Sequence, residues 1–136
     1  MFDETNKYKE TGHFFLRSDS DLETSCNAPK SGNGVFIVNR LKQGRIDIVL
    51  IGSSAKIQKS GSLKKTDSLF NSITKDLQFG LSWINKIKKE NIDGLDIYWY
   101  VTFNQRTRDI PFFVQSLLLQ RYFELYGRLP EWNVEF

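Results

Sequence analysis

The 136-residue sequence holds one cysteine, one histidine and no long apolar run. With only Cys26, an internal disulfide framework and a zinc site built on cysteine pairs are both excluded. No histidine with Asn or Asp is placed by sequence to activate that thiol. His13, the only histidine, has no cysteine partner and no acid pair near it in sequence, so it reads as structural or exposed rather than as a metal ligand or base. No apolar stretch approaches the roughly 18 residues of a membrane span. No apolar h-region follows Met1, so a signal peptide is not expected and the expected location is cytoplasmic. Internal repeats and low-complexity tracts are absent, and there is no arginine between Ile46 and Gln105.

What is present suits one globular domain. The chain is 40% hydrophobic and 14% aromatic, which argues against disorder. A chain of this length buries roughly two-thirds of its unfolded surface without staples. The net charge of +3 is uneven. In Arg40–Lys65, seven bases (Arg40, Lys42, Arg45, Lys56, Lys59, Lys64 and Lys65) face one acid, Asp47. Such a window suggests a DNA, RNA or acidic protein partner, although a merely solvated loop face explains it about as well.

Along the chain, residues 1–30 are polar and turn-rich and read as an arm packed on a domain of residues 31–136, with room for one short strand. Residues 34–39 are apolar and β-branched, as is "IDIVLIG", and the short polar connection with Gly44 between them predicts a hairpin. After a Ser-, Lys- and Gly-rich loop, Thr66 or Asp67 is placed to cap a short helix over "SLFNSITKDL". "FGLSWINKIKKEN" carries Leu81, Ile84 and Ile87 at helical spacing. "LDIYWYVTF" is the most β-prone run, with Leu95, Ile97, Trp99, Val101 and Phe103 on one face and Asp96, Tyr98, Tyr100 and Thr102 on the other. Asp109-Ile110-Pro111 starts a last helix that ends at Gly127, with Asp109 as capping acid. That helix is apolar enough to read as central to the core, with Phe112 and Phe113 stapling it there. Trp83, Trp99 and Trp132 read as core anchors. The expected fold is α+β: a small three-stranded antiparallel-type sheet flanked by helices, in the order β-β-α-α-β-α.

Gly34-Val35-Phe36, Leu50-Ile51-Gly52 with Ser53-Ser54, the helix "VQSLLLQRYF" and the closing "LPEWN" fall in an order that resembles GIY-YIG nuclease domains, from about Ala28 to Asn133. The resemblance implies phosphodiester hydrolysis with one divalent metal, Mg²⁺ in an active member. Two tyrosines, an arginine and a glutamate would carry the chemistry. Here the tyrosine positions hold Phe36 and Leu50, and the arginine position falls on Ser72 (or its neighbour Asn71). The glutamate position holds Gln115, and only Asn133 stands as the family would have it. Glu124, nine residues after Gln115, points to the opposite side of the helix and is no substitute. Tyr98 and Tyr100 are placed to line the same concavity, where packing with a wet hydroxyl is the commoner fate of such tyrosines.

The resemblance therefore implies a catalytically degenerate domain, with no cofactor expected, that binds nucleic acid or a partner through a basic surface. The alternatives are an active metal-dependent endonuclease with relocated residues, and a protein–protein module, including a homodimer that uses exposed aromatics.

Overall fold

In a computed structural model, residues 2–55, 57–62, 68–75 and 82–134 are described. A short 3₁₀ turn at Asp3–Thr5 precedes β1 (Thr11–Leu16), the one-turn α1 (Leu22–Ser25), β2 (Asn33–Lys42) and β3 (Arg45–Ser53). Then come α2 (Leu69–Lys75), α3 (Trp83–Lys89), β4 (Gly94–Phe103) and the long α4 (Pro111–Tyr126). The sheet is antiparallel and four-stranded, in the order β1-β4-β2-β3. This corrects the expected three strands and their order. The polar arm supplies β1, whose Phe14 and Leu16 point into the core beside β4. A strand this short, with only two buried side chains, leaves a weak period-2 signal in sequence.

The β2–β3 hairpin forms as predicted. Lys42 pairs with Arg45, and Gln43 and Gly44 both have positive φ (52° and 76°), the geometry of a two-residue turn that matches strand twist. Farther along, Val38 pairs with Leu50 while Asn39 pairs with Ile48, so Val49 is the extra residue of a β-bulge. Val49, Leu50 and Ile51 are all buried.

The two faces of β4 alternate as predicted. Leu95, Ile97, Trp99 and Val101 join Phe36, Val38 and Leu50 under α2 and α3. Tyr98 and Tyr100 lie on the opposite face, which α4 and the N-terminal turn cover through Val114, Leu118, Leu119, Phe2 and Tyr8. The three tryptophans are buried. Ser68 Oγ accepts the Asn71 N–H at the start of α2, and Ser82 Oγ accepts the Asn85 N–H at the start of α3. The caps expected at Thr66 and Asp67, and the apolar position Leu81, lie outside the described residues.

α4 departs from expectation on both counts. Its N-cap is Ile110, with no side-chain cap, and the Asp109 carboxylate instead accepts from Tyr8 Oη (2.7 Å) and pairs with Lys7 Nζ (2.9 Å). Gly127 does end the helix, at φ 68°. Only one side of α4 is core, and Phe112, Phe113, Phe123, Leu125 and Tyr126 are about half exposed or more. Phe112 and Phe113 are therefore not staples. No helix among the described residues is long and apolar enough to cross a membrane.

Two glycines have steric reasons. A Cβ on Gly34 would stand 1.9 Å from the Tyr100 carbonyl oxygen, and one on Gly52 would meet the Phe36 ring at 2.4 Å. Gly34→Ala is expected to cost about 3 kcal/mol through backbone displacement. Gly44→Ala, in open space but at positive φ, should cost about 1–2 kcal/mol. Urea midpoints measure both, and equal losses would contradict this placement of β2.

The Lys7 and Tyr8 contacts hold the Asp109 carboxyl below its ordinary value. A lowered folded-state pKa gives stability that is present above the unfolded value, about 3.9, and is lost as pH falls through the folded one. The stability gap between wild type and Asp109→Asn should therefore shrink on acidification below about pH 4. A constant gap across an acid series of denaturant titrations would show that ionisation of Asp109 plays no part.

Candidate functional site

The five positions singled out by sequence do not assemble into one site. Phe36 and Leu50 are 0% and 1% exposed, in the core on the α2–α3 side. The Phe36 ring lies over Gly52, its partner across the β2–β3 ladder. Ser72 is half-buried on α2, where its N–H donates to Ser68 O.

Gln115 and Asn133 do meet, but on the backbone of β3. Gln115 Nε2 donates to Ile51 O (3.0 Å) while its Oε1 accepts from Ser53 Oγ. Asn133 donates from Nδ2 to the same Ile51 oxygen (3.0 Å) and accepts the Ile51 N–H at Oδ1 (2.9 Å). One residue earlier, Trp132 N–H donates to the carbonyl of bulge residue Val49 (2.8 Å). The closing segment thus fastens onto the outer edge of β3, where unpaired strand groups would otherwise be exposed.

These residues do not fit a divalent metal. A hard cation needs carboxylate oxygen. The Gln115 amide is neutral, and both of its ends are engaged by β3. Among the described residues, no three His, Cys, Asp or Glu side chains form a metal-holding group. Glu124 faces solvent and pairs with Arg121 and Gln120, so it stays apart from Gln115 as expected. Tyr98 and Tyr100 line a different concavity, on the sheet face opposite Phe36 and Leu50.

Asp96, which also lines that concavity, makes a pair the sequence reading missed. His13 Nδ1 lies 2.8 Å from Asp96 Oδ1, and the imidazole stacks on Tyr98 at 4.7 Å. No acid pair stands beside His13 in sequence, but across the fold one acid 83 residues away, Asp96, reaches it through the β1–β4 ladder. Burial, and then the Asp96 charge, raise the Tyr98 phenol above its ordinary value. Cys26 is buried, and burial pushes its thiol up, which disfavours the nucleophilic thiolate.

The predicted basic window divides. Arg40 is occupied: its guanidinium binds Asp47, Glu90 and Glu131, and the contacts with Asp47, and then Glu131, raise its pKa further. Lys42 Nζ donates to Glu90 O (2.8 Å). Arg45 and Lys59 are exposed, whereas Lys56, Lys64 and Lys65 lie outside the described residues.

Positive charge collects elsewhere. An open, mostly polar cleft of about 760 Å³ lies where β2 begins and β4 ends. Lys30, Arg106 and Arg108 rim it against the single acid Glu10, and Ser60–Ser62 from the loop after Lys59 form another wall. Among the described residues, none of the three bases is in an ion pair with a carboxylate. Lys30 lies over the Phe70 ring (4.7 Å) and Arg108 over the Phe103 ring (4.8 Å). The turn carrying both arginines is well fixed. Asn104 Oδ1 accepts the N–H groups of Arg106 and Thr107, and Phe103 bridges to Arg108.

The same sheet end holds a small buried latch. Ser54 Oγ accepts the Gly34 N–H (2.9 Å) and donates to Asn33 Oδ1 (2.8 Å), tying the two glycine-marked strands together. The sequence signals for these features were the second serine after Gly52 and the two arginines in "NQRTR", just ahead of the last helix.

Fold and site together define an α+β domain with a helix-covered antiparallel sheet and a basic cleft at one end. Comparison with protein-family models, with curated proteins and with solved structures finds no match to the chain.

Gln115→Ala and Asn133→Ala should each destabilise the domain by about 1–3 kcal/mol, by leaving Ile51 backbone groups short of partners. In the double variant the losses should be non-additive, because both amides serve the same carbonyl. Thermal and urea unfolding of the three variants checks this, and unchanged stability would remove the clamp role.

Proposed function

We propose that this chain is a catalytically degenerate GIY-YIG-like domain that binds the phosphate backbone of nucleic acid in the cleft between Lys30, Arg106 and Arg108. One observation carries the reading. Phe36 and Leu50 are core side chains, and Gln115 and Asn133 are amides bonded to backbone, while cations that are in no ion pair among the described residues rim a polar cleft at the end of the sheet where the two glycine triplets lie. The order of hairpin, helical pair, strand, long helix and closing proline–asparagine segment supports the family half of the reading.

Phosphate recognition suits the cleft's chemistry. Arginine presents a planar fork to phosphate oxygens, and Asn and Ser side chains on the walls add neutral donors. Contacts of this kind carry little sequence information, so affinity is expected to be non-specific and roughly in the 10⁻⁴–10⁻⁶ M range. Hydrolysis is not expected, because neither a metal carboxylate nor a tyrosine hydroxyl stands at the family positions.

Fluorescence anisotropy with labelled single- and double-stranded DNA and RNA, across a salt series, tests the binding. Each lost phosphate contact should lower the slope of log K against log salt by about one unit. Arg106→Ala and Arg108→Ala should show that change, and Arg40→Gln should leave binding unaltered. If the arginine variants bind as wild type does, the cleft is the wrong surface. Plasmid cleavage in Mg²⁺ or Mn²⁺ that disappears in Gln115→Ala would overturn the degenerate reading.

A further inference from the structure

We infer that the outward face of α4 pairs with the same face of a second copy of this chain, antiparallel, about a two-fold axis level with Leu118. Five of the ten large hydrophobic residues exposed among the described residues lie on this one helix. Phe112, Phe113, Phe123, Leu125 and Tyr126 leave between 49% and 63% of their surface in solvent, although Val114, Leu118, Leu119 and Tyr122 already anchor the helix to the sheet. A helix that needed only to cover its sheet would carry charged residues on that outer side.

The order of residues on the face points to self-association. Phe113, Ser116, Gln120 and Phe123 follow one another at steps of three, four and three. At about 100° per residue they fall within an arc of about 80° on one side of the helix. The pattern is the same read in either direction, with bulky aromatics outside and small or polar residues inside. An isologous contact requires this property: residue i must meet j while j meets i. In the antiparallel pair, each Phe113 lies at the level of the partner's Phe123, and each Ser116 at the level of the partner's Gln120.

The central polar residues suit that register. Ser116 Oγ donates to Phe112 O within its own helix and keeps acceptor capacity. Gln120 uses one amide N–H on Glu124 and has a second to offer. Arg121 and Glu124, which flank the stripe, neutralise each other within the helix, so no like-charge row faces the second copy. Phe112, Phe113, Phe123 and Tyr126, about half exposed, offer about 400 Å² of aromatic surface per protomer at about 200 Å² for a whole side chain. That is half of the roughly 800 Å² per partner of a stable interface, and the flanking helix surface supplies the remainder.

Sedimentation velocity or light scattering from low to high micromolar protein tests the inference. Wild type should approach twice the monomer mass, and Phe113→Asp and Phe123→Asp should each weaken association at least tenfold. Both variants should keep their helix content and thermal midpoint, since these side chains are about half exposed. The register is read by a cross-link. The double variant Ser116→Cys/Gln120→Cys should form a disulfide-linked dimer on mild oxidation, while Ser116→Cys alone should not; Cys26 is buried and gives no background. Any of three results overturns the inference: a monomer at every concentration, which leaves the stripe to a different protein; a dimer insensitive to both phenylalanine substitutions; or cross-linking by Ser116→Cys alone, which would mean a parallel pair.

Discussion

The structure depends on how closely β2 lies against its two neighbours. Gly34 brings β2 so near the Tyr100 carbonyl that no side chain fits, and Gly52 leaves the slot that the Phe36 ring fills from the opposite strand. These contacts place β2 between β3 and β4 and divide the interior into a Phe36 side and an α4 side. Everything on the sheet takes its position from that division. The Ser54 latch closes on Gly34, α2 begins where its Leu69 N–H reaches Gly32 O, and the cleft opens beyond that junction. The glycine triplets are conspicuous in sequence because of this packing, whether or not chemistry ever stood beside them.

Electrostatics follows the same logic of position over composition. Seven bases in one window promised a basic surface, yet Arg40 lies inside a cage of three carboxylates drawn from β3, the end of α3 and the tail. Two of those carboxylates, Glu90 and Glu131, are 50 and 91 residues away in sequence, so counting charges in a window could not find them. Arg106 and Arg108 drew no attention in sequence, but the Asn104 turn directs both to one cleft, and among the described residues neither is in an ion pair. What a ligand meets is the set of cations left over after folding, not the total.

The sequence was most legible where a signal was local and periodic. The hairpin, the alternating faces of β4, the end of α4 at Gly127 and the buried tryptophans all rest on patterns spanning fewer than about ten residues, the range over which propensity and turn chemistry act. It was least legible where partners are distant. The β1–β4 ladder and the His13–Asp96 pair come from a short strand of the arm with too few buried residues to show in sequence which strand it pairs. The Asp109 cap failed for a related reason: the acid is well placed for a helix N-terminus, but Tyr8 and Lys7 claim its carboxylate first. In α4, apolar composition was read as burial. A helix hydrophobic all round requires only that both sides be covered, and one chain covers one side.

The candidate site shows why these positions hold the residues they do. Gln115 gives an N–H to Ile51 O, an oxygen it shares with Asn133. A carboxylate at 115 would have no proton to give there and would stand against a carbonyl dipole, a repulsion that only a cation or a rearranged β3 would relieve. Hydroxyls at 36 and 50 would bury polar atoms among apolar neighbours. Each such single substitution therefore costs stability in the present packing. The apolar filling of one face and the amide clamp on the other keep the domain in its present, well-packed state. In that state its exposed cations and its outer α4 face, rather than the buried Phe36 and Leu50, are open to other molecules.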